Sequence, residues 1–286
     1  MTLPRPVGPA LGWGIAAFSL VLSDAQSSLA SAQGRLDASY SVSLAGVPFG
    51  KGTWSIDIRD DQFTATASGG TTGIMRLFTS GRGASSAHGT LLQGQPLAVT
   101  YTSSVQTDKK YDEVHMLLRA GVVKEYTAEP PSFPTPDRVP ITEAHRRGVA
   151  DPMTASLMRV AGTGDLFSPE ACQRKLAIFD GRMRYDLRFS FKRFEQVRSE
   201  KGYQGPVAVC AVYFSPVAGY SPQRAVIKYL IALRDIEVAL APIAGTRFMV
   251  PYRASIPTPF GSGILEATQF VSVPNPAAAA ANNIKH

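Results

Sequence analysis

The chain has two cysteines, four histidines and two tryptophans in 286 residues, and these shortages bound its chemistry. None of His88, His115, His145 and His286 lies within five residues of another histidine or of a cysteine, so the paired-ligand spacing of zinc sites is missing. No G-x-S-x-G elbow occurs. The run Gly83-Ala84-Ser85-Ser86-Ala87-His88-Gly89 is rich in small residues but wrongly spaced for one, and reads as a small-residue strand or turn. No glycine-rich phosphate cradle precedes a helix. The acidic pairs Asp60-Asp61 and Asp112-Glu113 are sequence neighbours, which on a strand point to opposite faces and cannot flank one glycosidic bond. No fixed-period repeat is present, which disfavours solenoids and propellers. The residues therefore assign no catalytic group, no metal and no cofactor, and an enzyme is the less favoured reading.

Long apolar runs are scarce too. The run Ala10 to Leu22 follows Arg5 and is too short to span a bilayer; Ala30-Ser31-Ala32 then supplies the small-x-small pattern of a processing site. Residues 1–32 are expected to be a signal peptide cleaved before Gln33, which delivers the chain to the periplasm. No cysteine stands at that site, so a lipoprotein is not expected. Ala225 to Ile243 is interrupted by Lys228, Arg234, Asp235 and Glu237, so no transmembrane segment is expected in the mature chain. The net charge of +7 survives cleavage, because Arg5 and Asp24 leave together. Its basic residues are scattered along strands and favour anionic surfaces such as lipid head groups or acidic polymers, without marking a specific site; the compartment argues against nucleic acid.

Two cysteines in an oxidising compartment imply one bond, Cys172 to Cys210. Closing a loop of about 39 residues would remove about 4 kcal/mol of unfolded-chain entropy. The alternative is two buried free thiols.

What the sequence has in abundance is alternation with period two. Ala38, Tyr40, Val42 and Leu44 face one way and Asp37, Ser39, Ser41 and Ser43 the other; Gly46-Val47-Pro48 turns the chain into Phe49 to Arg59, and Asp60-Asp61 turns it into Gln62 to Ser68. Further strands are expected at Leu97–Gln106, Tyr111–Arg119, Val122–Thr127, Lys175–Phe179 and Arg184–Arg193, then around Ile236–Leu240, Phe248–Tyr252 and Ile264–Val271. Val207 to Phe214 is apolar on both sides and so is expected to be covered twice. About a dozen such strands predict a mainly β fold, a large curled antiparallel sheet forming an open or closed barrel. Two short helices are expected as plugs: one over Ile74, Leu77 and Phe78, and one capped by Asp151-Pro152 with Met153, Leu157, Met158 and Val160 as its stripe. Ala225 to Arg234 is ambiguous between helix and strand. The proline-rich span Glu129 to Pro140 cannot pair inside a sheet and is expected to cross the surface within one β-rich domain, residues 33–273; residues 274–286 are expected to be a disordered tail.

Asp180-Gly181 signals a tight turn. Arg184 and Asp186 beyond it share a strand face and are candidates for contact with a ligand or anionic group. Arg247, between apolar strand residues near Arg253, is a third candidate.

The runs RKLAIFDGRMRYDL, VAVCAVYFSPVAGY, IEVALAPIAGTRFMVPYRASIPT and GSGILEATQF, with YSVSLAGVPFGKGTW near the expected mature start, resemble exported bacterial proteins of the domain of unknown function 3108 family. The resemblance covers most of residues 36–273 and implies the compartment and the fold more than an activity. The architecture is also similar, more distantly, to periplasmic β-spiral envelope-integrity proteins and lipoprotein-carrier half-barrels. The expectation is a non-enzymatic periplasmic protein that supports the cell envelope by binding an apolar or amphiphilic ligand, such as a lipid, or an envelope protein partner, in the sheet's concavity. The alternatives are a hydrolase acting on cell-wall or lipid substrates and a module that recruits partners through a strand edge.

Overall fold

A computed structural model describes residues 1–2, 33–59, 61–72, 80–132 and 135–275. The expected signal peptide, the helix over Ile74 to Phe78 and the tail beyond Asn275 lie outside the described residues.

Seven strands follow one another first: β1 (Gly34–Leu44), β2 (Val47–Arg59), β3 (Gln62–Thr71), β4 (Gly81–Leu92), β5 (Gln95–Thr107), β6 (Tyr111–Arg119) and β7 (Val122–Glu129). After the proline-rich link come α1 (Pro152–Ala155), β8 (Met158–Arg159), β9 (Arg174–Phe179), β10 (Arg184–Arg198), β11 (Lys201–Gly202), β12 (Gln204–Ala218), α2 (Ala225–Ala232), β13 (Ile236–Pro242), β14 (Phe248–Thr258) and β15 (Gly261–Pro274). The sheet order is β7-β6-β5-β4-β3-β2-β1-β15-β14-β13-β12-β10-β9, with β8 on β14 and β11 on β15. The chain thus meanders outward from β1, then returns so that β15 pairs with β1 along its whole length. Three of the meander's hairpins turn at Ala45-Gly46, Gln93-Gly94 and Ala120-Gly121, where both residues have positive φ. That conformation matches the right-handed twist of paired strands and favours glycine at the second place. The first of these turns lies one residue before the Gly46-Val47-Pro48 turn read from the sequence, because Val47 and Pro48 already pair in β2.

The sheet is mainly antiparallel and curled, and its end strands β7 and β9 do not pair with each other. The segment 147–150 spans the gap: Arg147 bridges to Val122 on one side and Ala150 to Ile178 on the other. The Asp180–Met183 turn reinforces the seam. Arg182 pairs with Asp112 at 3.0 Å, and its guanidinium donates to the Pro130 carbonyl at 2.6 Å. The proline-rich link is held by Arg138, which donates to the carbonyls of Gly219 and Arg182.

Two cores share the sheet. The inner one is enclosed by the curl and holds Leu36, Ile56, Ile58, Phe63, Phe179, Phe248, Tyr252 and Phe270. The outer one lies on the opposite face of β10, β12, β13 and β14, under the segment 158–172. This second core explains why β12 is apolar on both faces: Val207 and Val209 point inward, Ala208 and Cys210 outward, and all four are fully buried. Cys172 is bonded to Cys210 with Cα atoms 5.4 Å apart, fastening the covering segment to the sheet.

The helices depart from the sequence reading. The stripe Met153, Leu157, Met158 and Val160 is not one helix: α1 is a single turn, and Met158 then pairs with Met249 in the sheet. All four side chains are buried, but Met153 and Leu157 belong to the inner core and Met158 and Val160 to the outer. The segment crosses from one face to the other, and that crossing mimics helical spacing. The ambiguous Ala225 segment forms the eight-residue helix α2, which lies on the surface with only Ile227 buried. Pro274 ends β15 opposite Gly34, and Asn275 donates to Asp57 and to the Ile58 carbonyl.

Candidate functional site

Because side chains alternate across each strand, strand register lays the inner face of β1–β6 out in rows. Leu36, Ile56, Ala65, Ala87, Tyr101 and Met116 form one row, and every member is buried. Two residues along the strands the row is Ala38, Trp54, Ala67, Ser85, Ser103 and Val114. Two further along it becomes Tyr40, Gly52, Gly69, Gly83, Val105 and Asp112. Three adjacent strands present no side chain at that level, so the core is left unfilled there.

The result is an apolar cavity of about 500 Å³, within the ~300–1,000 Å³ range of small-ligand sites. Trp54 forms one wall, Tyr40 and Leu265 another, and Met153 closes it from the side of α1. Tyr40 is fixed by donating its hydroxyl to the Pro251 carbonyl at 2.8 Å, and its burial raises the phenol's pKa. The Trp54 indole nitrogen is buried without a hydrogen-bond partner. The α1 turn is positioned by Asp151, whose Oδ1 accepts from the amides of Met153 and Thr154 at 2.9 Å each. Burial pushes the Asp151 carboxyl up, against the amide bonds that pull it down. Lys51 and Arg82 flank Gly70 across β3 at the border of the cavity, but alternation turns their exposed side chains to the outward face, where the Arg82 guanidinium donates to Gln106 at 3.0 Å.

A larger hollow of about 610 Å³ lies against the outward face of the same strands. Its outward rows are Ser39, Thr53, Ser68, Ala84, Ser104 and Glu113, then Asp37, Ser55, Thr66, Ser86, Thr102 and His115. These groups largely satisfy one another: Thr53 bonds Ser68 at 3.0 Å, Ser86 bonds Thr102 at 2.8 Å, Ser55 donates to Asp37 at 2.8 Å, and His115 meets Glu113 at 3.0 Å. A ligand would have to displace those bonds, so the smaller apolar cavity is the better site despite its size.

The residues singled out from the sequence lie elsewhere. Arg184 and Asp186 do come together, at 2.6 Å, and Lys175 joins Asp186 at 2.7 Å. Burial works to raise the Asp186 pKa, and the bonds from Lys175 and Arg184 outweigh it and hold the carboxyl below the ordinary range. Arg247 is apart from them, donating to the carbonyls of Val160, Gly164 and Ala161 and clamping the start of the outer covering segment. None of the three lines the cavity. Among the described residues no cluster of three or more potential metal ligands occurs. The cavity's own signal was present as GKG, GG and GRG in three consecutive strands, and needed their register to be read.

Fold and site together define a barrel-like antiparallel sheet enclosing an apolar cavity. The chain belongs to the family described as protein of unknown function (DUF3108), whose model matches residues 39–268. No curated protein matches it. Among solved structures it is similar to a β-barrel-like protein of domain of unknown function DUF1849 from Brucella abortus. That match has a TM-score of 0.51 and 10% identity, over 85% of this chain and 98% of the other, and supports the fold alone.

Proposed function

We propose that the protein is exported by cleavage before Gln33, works in the periplasm without catalysing a reaction, and supports the envelope by holding a single-chain anionic amphiphile in the inner cavity. The observation that carries this is the glycine row Gly52, Gly69 and Gly83, which leaves an apolar void in a chain whose net charge is +7. An acyl chain suits the void, and an anionic head suits the basic balance of the chain. The Cys172–Cys210 bond favours an oxidising compartment. The competing readings have less support. Asp151 and Asp180, the buried carboxyls a hydrolase would draw on, each accept two amide bonds from their own turns. Both end strands of the sheet are already bridged by the segment 147–150, which leaves less edge for a partner strand.

Gly83→Leu tests the reading. A Cβ there would sit 3.3 Å from the Ser104 carbonyl oxygen and 3.6 Å from a Val105 methyl, so the backbone must yield by a few tenths of an ångström at most, and the added side chain competes for the void. Trp54 is the sole tryptophan after residue 32 and reports occupancy by fluorescence. Titration with oleate or lysophosphatidylglycerol is expected to saturate in the wild type, and Gly83→Leu to weaken binding at least about tenfold with the thermal midpoint little changed. Equal binding by both proteins, or none by the wild type, overturns the proposal.

A further inference from the structure

The cavity is lined by Val42, Phe49, Thr71 and Gly81, which stand near one end of their strands. At that end the β1–β2 and β14–β15 hairpin tips touch: the Ala45 amide donates to the Ser262 carbonyl at 3.0 Å. Beside the joined tips Phe260 is 80% exposed and Val47 55%. Helix α2 is tied to the same tip, with the Tyr229 hydroxyl donating to the Pro257 carbonyl at 3.1 Å. Yet Val226 and Ile231 on this helix are 55% and 42% exposed. A surface helix normally turns its apolar residues inward; one that also shows them outward is suited to being covered.

The charges at this end are mixed, with cations in excess. Lys51, Arg82, Lys109, Lys110, Arg224 and Lys228 are exposed there. Of the acids nearby, Asp108 is occupied by Ser80, Asp112 is paired with Arg182, Asp137 lies against Arg224, and Glu129 and Asp235 are exposed. Apolar tips set among cations are the arrangement that inserts into a head-group layer and gains from its negative potential.

We propose that this end docks on an anionic phospholipid bilayer, presenting the cavity to the membrane so that an amphiphile passes between them. The inference rests on the amphiphile reading and adds where the ligand comes from. A bilayer fits better than a protein partner because the apolar groups stand on separate tips and a helix within a basic surround, on a chain whose net charge is +7.

The test is flotation of the full-length expressed protein, purified from the periplasm, with vesicles of phosphatidylethanolamine and phosphatidylglycerol or of phosphatidylcholine alone. Flotation is expected with the anionic vesicles, weaker with added salt and weaker still with phosphatidylcholine. Phe260→Asp and, independently, Val226→Asp are expected to reduce it at least about tenfold, and both positions are exposed enough to leave folding intact. Oleate titration of Trp54 is expected to be unchanged in both variants, which separates docking from the cavity. The proposal is overturned if the wild type ignores anionic vesicles, or if the variants float like it. It is also overturned if they change only the oligomeric state, since the face would then be a protein interface. Loss of oleate binding alone, with flotation intact, defeats the cavity reading and leaves the docking surface standing.

Discussion

The two halves of the sheet are built to different specifications. Strands β1–β6 have one buried face and one polar face carrying cross-strand hydroxyl pairs, and their inner face is left unfilled at the glycine row. Strands β10, β12, β13 and β14 lie between two cores, and a disulfide and the Arg247 clamp hold their outer cover in place. A close-packed wall resists local change, whereas a wall lacking side chains at one level leaves neighbouring groups without contacts and room for another molecule. The doubly covered half is the frame, and the singly covered half carries the cavity.

The largest test of that contrast is Ala208→Asp. Ala208 is fully buried against the outer core, so a carboxylate there has no water and no designed partner; the loss should exceed about 4 kcal/mol and leave little folded protein in urea titrations. Removing the bond with the double variant Cys172→Ser, Cys210→Ser should cost about 4 kcal/mol by loop closure. Fluorescence of Trp54, on the other half, checks whether the loss is global: a single shared transition is expected, because β15 pairs with β1 over eleven positions.

Most of the frame was legible in the residues because alternation directly records which face is buried, and Val207 to Phe214 announced double cover by lacking it. The helix started by Asp151 was misjudged in length because Leu157, Met158 and Val160 serve two cores in turn, a tertiary arrangement that yields the same spacing as a helical stripe. The bonds of Arg247 were not legible, because its partners are backbone carbonyls over eighty positions away and no side-chain pattern records them. The cavity was missed for a similar reason. Glycines in GKG, GG and GRG read singly as weak strand residues, and only pairing puts Gly52, Gly69 and Gly83 at one level.

Acid separates the halves more gently. On the frame, Glu237 is held down to about 2, first by its bond to Arg193 and, against burial, by Lys192. A depressed carboxyl contributes stability that is present above its ordinary value of 4.5 and is lost as pH falls toward 2. Beside the cavity, Asp151 is shifted upward by burial, so its effect has the opposite sign: the favourable contribution is present below 3.8 and is lost as pH rises through the higher folded value. Glu237→Gln should therefore cost about 1 kcal/mol at pH 7, allowing for solvent screening, and nothing near pH 2. Asp151→Asn keeps the capping oxygen and drops the buried charge, so its urea midpoint should equal or exceed the wild type at pH 7 and converge with it in acid. A fall at pH 7 would mean that the charge itself holds α1 in place.

The smallest effect belongs to Ala84→Asp, the counterpart of Ala208→Asp on the singly covered half. Ala84 faces outward on β4 between Ser68 and Ser104 and is exposed, so a carboxylate there stays hydrated and meets only hydroxyls. The change should stay within about 0.5 kcal/mol, with oleate binding at Trp54 preserved. The same chemical change on two outward-facing alanines would then differ by several kcal/mol. If Ala84→Asp proved as damaging as Ala208→Asp, the outward hydroxyl face would itself have to be covered, and the division into frame and site would fall with it.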